Sequence, residues 1–249
     1  MSSTAAGDTP LAGRSAVVTG ASRGIGHAIA LALHAAGAHV IMLGRDAAAM
    51  RHIIDREAHH GAGTLAPIAA DLSRIHEIDA VAASIREQAR GAPDILVNNA
   101  AQFFVRPVEE TTVDDFERTL TVNLTAHFAL VRAFLPEMRA RGSGHVVTIG
   151  SVADERPYRG NAAYSASKFG MRGLHEVMRQ ELRGSGVRTT LVSPDRVDTT
   201  IWDGAVPPEW ERVKQRSDML QPADVARAVS FALTQPATVN VDELRLSRA

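Results

Sequence analysis

The sequence predicts an α/β protein, a doubly wound seven-stranded parallel sheet with helices on both faces, and three observations carry that expectation. The chain opens with a short apolar run, a glycine-rich turn and an alanine-rich helix that feeds a second apolar run. Two parallel strands need a crossover of a dozen or more residues, and a helix of that length supplies one. Short apolar runs then alternate with segments of helical pattern through all 249 residues, without a break in composition. One domain over residues 11–249 is expected, behind a loose N-terminal segment of residues 1–10.

Taken in order, strand one is expected within "RSAVVTG" from Arg14, followed by the turn "GASRGIG" and a helix ending near Gly37. Strand two is "HVIMLGR". A helix from about Asp46 leads to strand three in "GTLAPIAADL", and a helix from about Ser73 to strand four in "PDILVNNA". One long helix from about Thr112 precedes strand five, "GHVVTIGS". The helix that carries Tyr164 precedes strand six, "VRTTLVSP", and a last helix from near Pro222 precedes strand seven, "TVNVDELRL". Residues 200–220 break the alternation. They hold both tryptophans, Trp202 and Trp210, and the pair Pro207 and Pro208. An insertion after strand six falls on the carboxyl side of the sheet, where ligands bind in such folds, so a substrate lid is expected there.

Composition excludes several classes. Lys plus Arg number 27 against 28 Asp plus Glu, a net charge of -1 with no basic run, so no nucleic-acid or membrane partner is indicated. Cysteine is absent, which removes disulfide and thiol chemistry and fits a reducing compartment. The first ten residues lack a basic start followed by an apolar run, and no stretch is apolar enough to span a bilayer, so a cytoplasmic protein is expected. The ten histidines show no metal spacing, and no metal is expected.

Chemistry enters at two places. Tyr164 and Lys168, in "YSASK", are four residues apart and rise from one face of a helix, where they can act on one bound molecule. A phenol is a sluggish proton donor at neutral pH, and a neighbouring cation is expected to draw its pKa down. Alone, such a pair is commonplace on helices. The second place is "TGASRGIG", with Gly20, Gly24 and Gly26 between a strand and a helix. Gly20 permits a tight turn, Gly24 lets backbone approach a pyrophosphate, Gly26 lets the helix pack closely, and the helix N-terminus offers free N–H groups to the anion.

These glycines, followed in order by "NNA", a lone Asn, a Ser and Y-x-x-x-K, resemble the short-chain dehydrogenase/reductase family from about Ala12 to Leu246. The resemblance implies a Rossmann fold and a catalytic set of Asn123, Ser151, Tyr164 and Lys168. In that set Tyr164 exchanges a proton with the substrate oxygen, Ser151 holds that oxygen, Lys168 lowers the phenol pKa and binds the nicotinamide ribose, and Asn123 anchors a water-linked proton path. It implies cofactor contacts from Gly20, Ser22, Arg23, Gly24, Ile25 and Gly26, from Arg45, Asp71 and Leu72, from Asn98 and Ala100, from Tyr164 and Lys168, and from Pro194, Val197 and Thr199. Gly44 stands where NAD-dependent relatives commonly place an Asp, and Arg45 and Arg23 can fork a 2'-phosphate, so NADP(H) is expected over NAD(H). Two positions depart from the family: Ala101 after "NNA", and Asp195 after Pro194, where the family has glycine. The absence of a terminal double glycine also sets this chain apart from many members.

The expected reaction is hydride transfer between nicotinamide and a carbonyl or secondary alcohol. The wall is expected from Gln102–Phe104, Ala153–Tyr158 and the 200–220 segment. A 3-oxoacyl thioester, a hydroxy acid and a mid-sized ketone all suit it, with slight preference for the first from general likeness to 3-oxoacyl-carrier-protein reductases. A non-catalytic NADP(H) sensor or assembly protein on the same fold is the alternative, and nucleotide-sugar epimerase or dehydratase chemistry a third. Met171, Leu174, Met178 and Leu182 form an apolar stripe on the Tyr164 helix. Either it is core, or, as in the family, it packs on another subunit together with the helix bearing Phe116, Leu120, Phe128 and Phe134. A homo-oligomer, a tetramer or dimer, is expected.

Overall fold

The computed structural model describes residues 9–207 and 215–249. The expected N-terminal segment therefore lies largely outside the described residues, as does the part of the expected lid that holds Trp210. Seven strands are described: β1 Ser15–Thr19, β2 His39–Gly44, β3 Thr64–Ala69, β4 Ile95–Asn98, β5 Gly144–Ile149, β6 Val187–Pro194 and β7 Glu243–Leu246. They form one parallel sheet in the order β3-β2-β1-β4-β5-β6-β7. The chain winds outward in both directions from β1 and β4, so a crevice opens where their carboxyl ends part.

Buried on both faces, the central strands read as near-continuous apolar runs. Val18 and Met42 face one layer with Ile29, Leu33 and Val229, while Val17 and Ile41 face the other with Ile85, Leu130, Phe134 and Met178. Adjacent strand residues point to opposite faces, which is why one run serves two cores.

The described α-helices are α1 Gly24–Ala35, α2 Ala47–Glu57, α3 Ile78–Ala89, α4 Val113–Leu120, α5 Ala126–Ala140, α6 Ala162–Glu181 and α7 Pro222–Leu233. Two begin where the sequence marks them. Asp46 caps α2 by accepting from the Ala49 amide at 2.9 Å, and Thr112 caps α4 by accepting from the Asp115 amide at 3.1 Å. The single long helix expected from Thr112 is interrupted by a π-helical turn at Thr121–Thr125, in which the Ala126 amide reaches back to the Thr121 carbonyl. The helix expected from Ser73 begins at Ile78, after a 3-10 turn at Ile75–Glu77. The last strand is shorter than its apolar run, starting only at Glu243.

The apolar stripe on α6 resolves into core. Met171, Met178 and Leu182 are buried, Leu174 packs on the core cluster, and on α5 Phe134 is fully buried beneath the Arg86 guanidinium. Of the side chains expected on a subunit face, Phe128 on α5 is exposed, and α6 leaves Phe169 and Val177 exposed in place of its stripe. Residues 169 and 177 are eight apart and share a face, offset from the buried stripe.

Candidate active site

The glycine turn lies at the crevice between β1 and α1. Gly20 and Gly24 hold φ of +68° and +57°, a backbone region costly for side-chain-bearing residues. At Gly26 the constraint is space: a Cβ there would lie 2.3 Å from the Gly20 carbonyl oxygen and 2.5 Å from Asn99 Nδ2. The turn is thus held bare and its first helical amides open, the cradle a pyrophosphate requires. From here a crevice of about 1720 Å³ runs across the carboxyl ends of the strands.

Most of the expected contacts meet along it. Gly20, Ser22, Arg23, Gly24, Ile25, Arg45, Asp71, Leu72, Ala100, Pro194, Val197 and Thr199 line one stretch, and Ser151, Tyr164 and Lys168 line the next. At the far end of β2, Arg23 and Arg45 project exposed into the crevice, while the neighbouring carboxylate of Asp46 is spent capping α2. Arg118, on α4, lines the same end. Burial pushes the Asp71 carboxyl up, but the amide and hydroxyl of Ser73, with Arg45 and Arg118 nearby, hold it below its usual range.

Asn98 is a correction. Its side chain is fully buried at the end of β4 and does not line the crevice. The neighbouring Asn99 secures the turn: its Nδ2 donates to the Thr19 carbonyl at 2.8 Å, and the Asn99 and Ala100 amides donate to the Thr19 hydroxyl at 2.8 and 2.9 Å. These bonds tie β1 to β4 where the crevice opens. Gly26 likewise packs under the turn and does not line the crevice. The two departures from glycine cost no backbone strain, since Arg90 is the one non-glycine residue with positive φ among the described residues. Asp195 lines the crevice, with its carboxylate accepting from the Arg196 amide at 2.7 Å.

Tyr164 sits in the first turn of α6 and Lys168 one turn on. Lys168 is buried and Tyr164 half-buried where it borders the crevice, and the Ser151 hydroxyl hydrogen-bonds the phenol. Burial pushes the phenol up to about 12, against the Ser151 bond, with Asp154 adding to the rise. Burial also pulls the Lys168 ammonium down to about 8, against Asp154. The expectation that the amine acidifies the phenol is therefore corrected. Lys168 Nζ donates to the Ile149 carbonyl at 2.7 Å and lies 5.5 Å from the centroid of the Tyr164 ring, over its face, so desolvation outweighs its charge.

Asn123, in the middle of the π turn, is fully buried and braces three elements. Its Oδ1 accepts from the Gln102 amide at 2.7 Å, and its Nδ2 donates to the Gln102 carbonyl at 2.9 Å and to the Ser167 hydroxyl at 3.0 Å. Gly170 makes this contact possible, since a Cβ there would fall 2.7 Å from Leu124. One turn beyond Asn123, burial chiefly, and Lys168 secondarily, hold His127 neutral, with its pKa down at about 3.

The expected wall is half right. Gln102, Phe103, Phe104, Ala153 and Tyr158 line the crevice, but Asp154 is buried below it and Glu155 turns to Arg172 and Arg245. What stands over the phenol is aromatic. Phe103 meets Tyr164 edge-on at 5.0 Å between centroids and meets Trp202 at the same distance. Trp202 follows β6 in a 3-10 turn at Thr200–Trp202, its indole N–H donating to the Val197 carbonyl at 2.9 Å. Residues 200–206 thus border the site, and Arg216 ties the two ends of the insertion by donating to Asp198 and to Asp203. Phe103 and Trp202 carry no motif, but both fall within the segments expected to form the wall, Gln102–Phe104 and residues 200–220.

A family model described as short chain dehydrogenase matches residues 14–209. An uncharacterized oxidoreductase from Staphylococcus aureus is 33% identical over 236 residues, covering 95% of this chain and 97% of that protein. Among solved structures, a putative NAD(P) dependent gluconate 5-dehydrogenase from Beutenbergia cavernae with bound NADP is 35% identical with a TM-score of 0.82, covering 94% of this chain and 95% of that one. A 3-oxoacyl (acyl-carrier-protein) reductase from Agrobacterium tumefaciens with NADP bound is 31% identical with a TM-score of 0.82, covering 95% and 93%.

Proposed function

The chain belongs to the short-chain dehydrogenase family, and from that premise we propose that it is an NADP(H)-dependent oxidoreductase that reduces a carbonyl or oxidises the corresponding secondary alcohol. The observation that carries this reading is the meeting of Ser151, Tyr164 and Lys168 in one crevice with the bare glycine turn. The cradle around Gly20 and Gly24, together with Arg23 and Arg45, fits a dinucleotide with a phosphorylated adenosine ribose. When bound, that cofactor supplies the hydride. The chain's own residues manage the oxygen. Ser151 orients the carbonyl oxygen and meets charge as it develops there, while Tyr164, held protonated by burial, gives up its proton to it. Lys168 holds the face of the phenol and the ribose, and Asn123 keeps the loop after β4 in register with α6.

Support for NADP(H) over NAD(H) comes from the charge at the end of β2. An Arg45→Asp variant is expected to lose NADPH efficiency by roughly a hundredfold, since each charge-assisted hydrogen bond is worth about 1.5–3 kcal/mol, while gaining use of NADH. Steady-state kcat/KM with both nucleotides checks this, and a wild type that prefers NADH overturns it.

For the substrate, the wall of Phe103, Val105, Trp202 and Val206 supports a carbonyl with an apolar flank, so a 3-oxoacyl thioester fits better than a polyhydroxy acid. Residues 200–220 serve as its lid. A panel of 3-oxoacyl thioesters, ketones and hydroxy acids followed by NADPH consumption tests this, and tight NADPH binding without turnover of any of them would favour the sensor reading. The exposed Phe128, Phe169 and Val177 support a homo-oligomer. Light scattering is expected to give two or four times the 26.6 kDa chain mass, and a monomer at micromolar concentration overturns it.

A further inference from the structure

Three residues after Ser151, Asp154 is 1% exposed, and protein interiors admit a carboxylate only with partners. It has them from three elements. Its Oδ1 accepts from Arg172 Nε and Nη2 at 3.1 and 3.0 Å, one turn beyond Lys168 on α6. Its Oδ2 accepts from the Ser193 hydroxyl on β6 at 2.6 Å and from the Ser151 amide at 3.2 Å. The Ser151 hydroxyl closes the box by accepting from the Ala153 amide at 3.1 Å. Residue 150 is kept bare for this carboxylate, since a Cβ on Gly150 would lie 2.5 Å from Asp154 Oδ2 and 2.6 Å from Ser193 Oγ.

We propose that Asp154 is a positioning residue of the reaction, locking the turn that presents Ser151 and setting a fixed negative charge behind the Tyr164 and Lys168 pair. This rests on the reading of Tyr164 as the proton donor. The surrounding charges do not cancel it. Arg172 is shared with Glu243 at 2.7 Å and Glu155 at 3.6 Å, and Arg245 pairs with the same two acids, so three carboxylates face two guanidiniums. His127, which feels the Lys168 charge, is neutral. The residual negative charge opposes ionisation of the phenol and favours the charged amine, the directions both groups take toward Asp154. Phenol that keeps its proton delivers it to a carbonyl, while alcohol oxidation, which needs phenolate, moves to higher pH.

Removing the charge should therefore lower the pH at which Tyr164 ionises. The chain has two tyrosines, so Tyr158→Phe leaves Tyr164 as the sole phenol, and near-ultraviolet tyrosinate absorbance then reads it without any substrate. In that background Asp154→Asn is expected to shift the titration down by about one pH unit, and the alkaline limb of carbonyl reduction with it. If the single variant melts, Asp154→Asn with Arg172→Gln, which removes carboxylate and guanidinium together, is expected to give a smaller downward shift, because Asp154 is the member of the cluster that acts on the phenol. A folded variant whose phenol titrates at the parental pH or higher overturns the proposal. So does failure of both variants to fold, which would make Asp154 a support of the fold alone. A parent that consumes NADPH with no carbonyl overturns the reductase reading instead, and leaves the phenol titration to decide the role of Asp154.

Discussion

Replacing Tyr164 by Phe is expected to lower kcat/KM for carbonyl reduction roughly a thousandfold, the usual worth of a positioned general acid, while leaving NADPH affinity and the melting temperature close to the parent's. The asymmetry follows from where the phenol sits. Its ring packs edge-on against Phe103 at 5.0 Å and under the Lys168 amine, contacts a phenylalanine ring preserves. The hydroxyl alone is lost, and with it the bond from Ser151. Ser151 faces the crevice and can turn to water, so no buried donor is stranded. NADPH oxidation followed by stopped flow, with calorimetric titration of the nucleotide, separates the two effects. A variant that keeps a tenth of the parental rate would mean that the proton reaches the oxygen from another group, and the mechanism would lose its acid.

The sequence announced the frame of this site better than its electrostatics. Strand, glycine turn and helix were legible because each has a local cause: apolar runs for β1 and β2, glycines where φ is positive or space is closed, and Asp46 and Thr112 where helices begin. The motifs singled out Ser151, Tyr164 and Lys168, and these line one crevice. What failed were statements about burial. A spacing of four residues puts Tyr164 and Lys168 on one face, but it says nothing of how dry that face is, and dryness moves the phenol up and the amine down. The same blindness made Asp154 and Glu155 look like substrate-wall residues when their partners, Arg172 and Arg245, lie on α6 and β7, up to 90 positions away in the chain. The π turn around Asn123 had no proline or glycine to announce it. It is set by what Asn123 must reach, the backbone of Gln102 and the hydroxyl of Ser167, and those are tertiary facts. The stripe from Met171 to Leu182 shows the converse: its period was right, yet periodicity alone cannot tell the protein's own core from a neighbouring subunit.

Substituting Gly26 by Ala is expected to strike both stability and cofactor binding, and the geometry says why one methyl does so much. The added carbon would meet the Gly20 carbonyl oxygen at 2.3 Å and Asn99 Nδ2 at 2.5 Å, neither of which can swing aside. The Gly20 oxygen is backbone in a turn of positive φ, and Asn99 is pinned to the Thr19 carbonyl at 2.8 Å. Relief requires α1 to lift from β1, at the upper end of the cost of overpacking, about 3 kcal/mol, or roughly 6–12 °C in Tm for a chain of this size. Lifting α1 also withdraws its first amides from the anion they face. Losing two charge-assisted hydrogen bonds, each worth about 1.5–3 kcal/mol, is expected to weaken NADPH binding at least about a hundredfold. Gly173→Ala, also on a helix but with open space where its Cβ would lie, is the control: it is expected to melt at or above the parental temperature, since alanine costs less in a helix than glycine by about 1 kcal/mol. Calorimetric melts and NADPH titrations of the two variants give the comparison. If Gly26→Ala binds NADPH as the parent does, the close approach of α1 to the turn is not what holds the pyrophosphate cradle open.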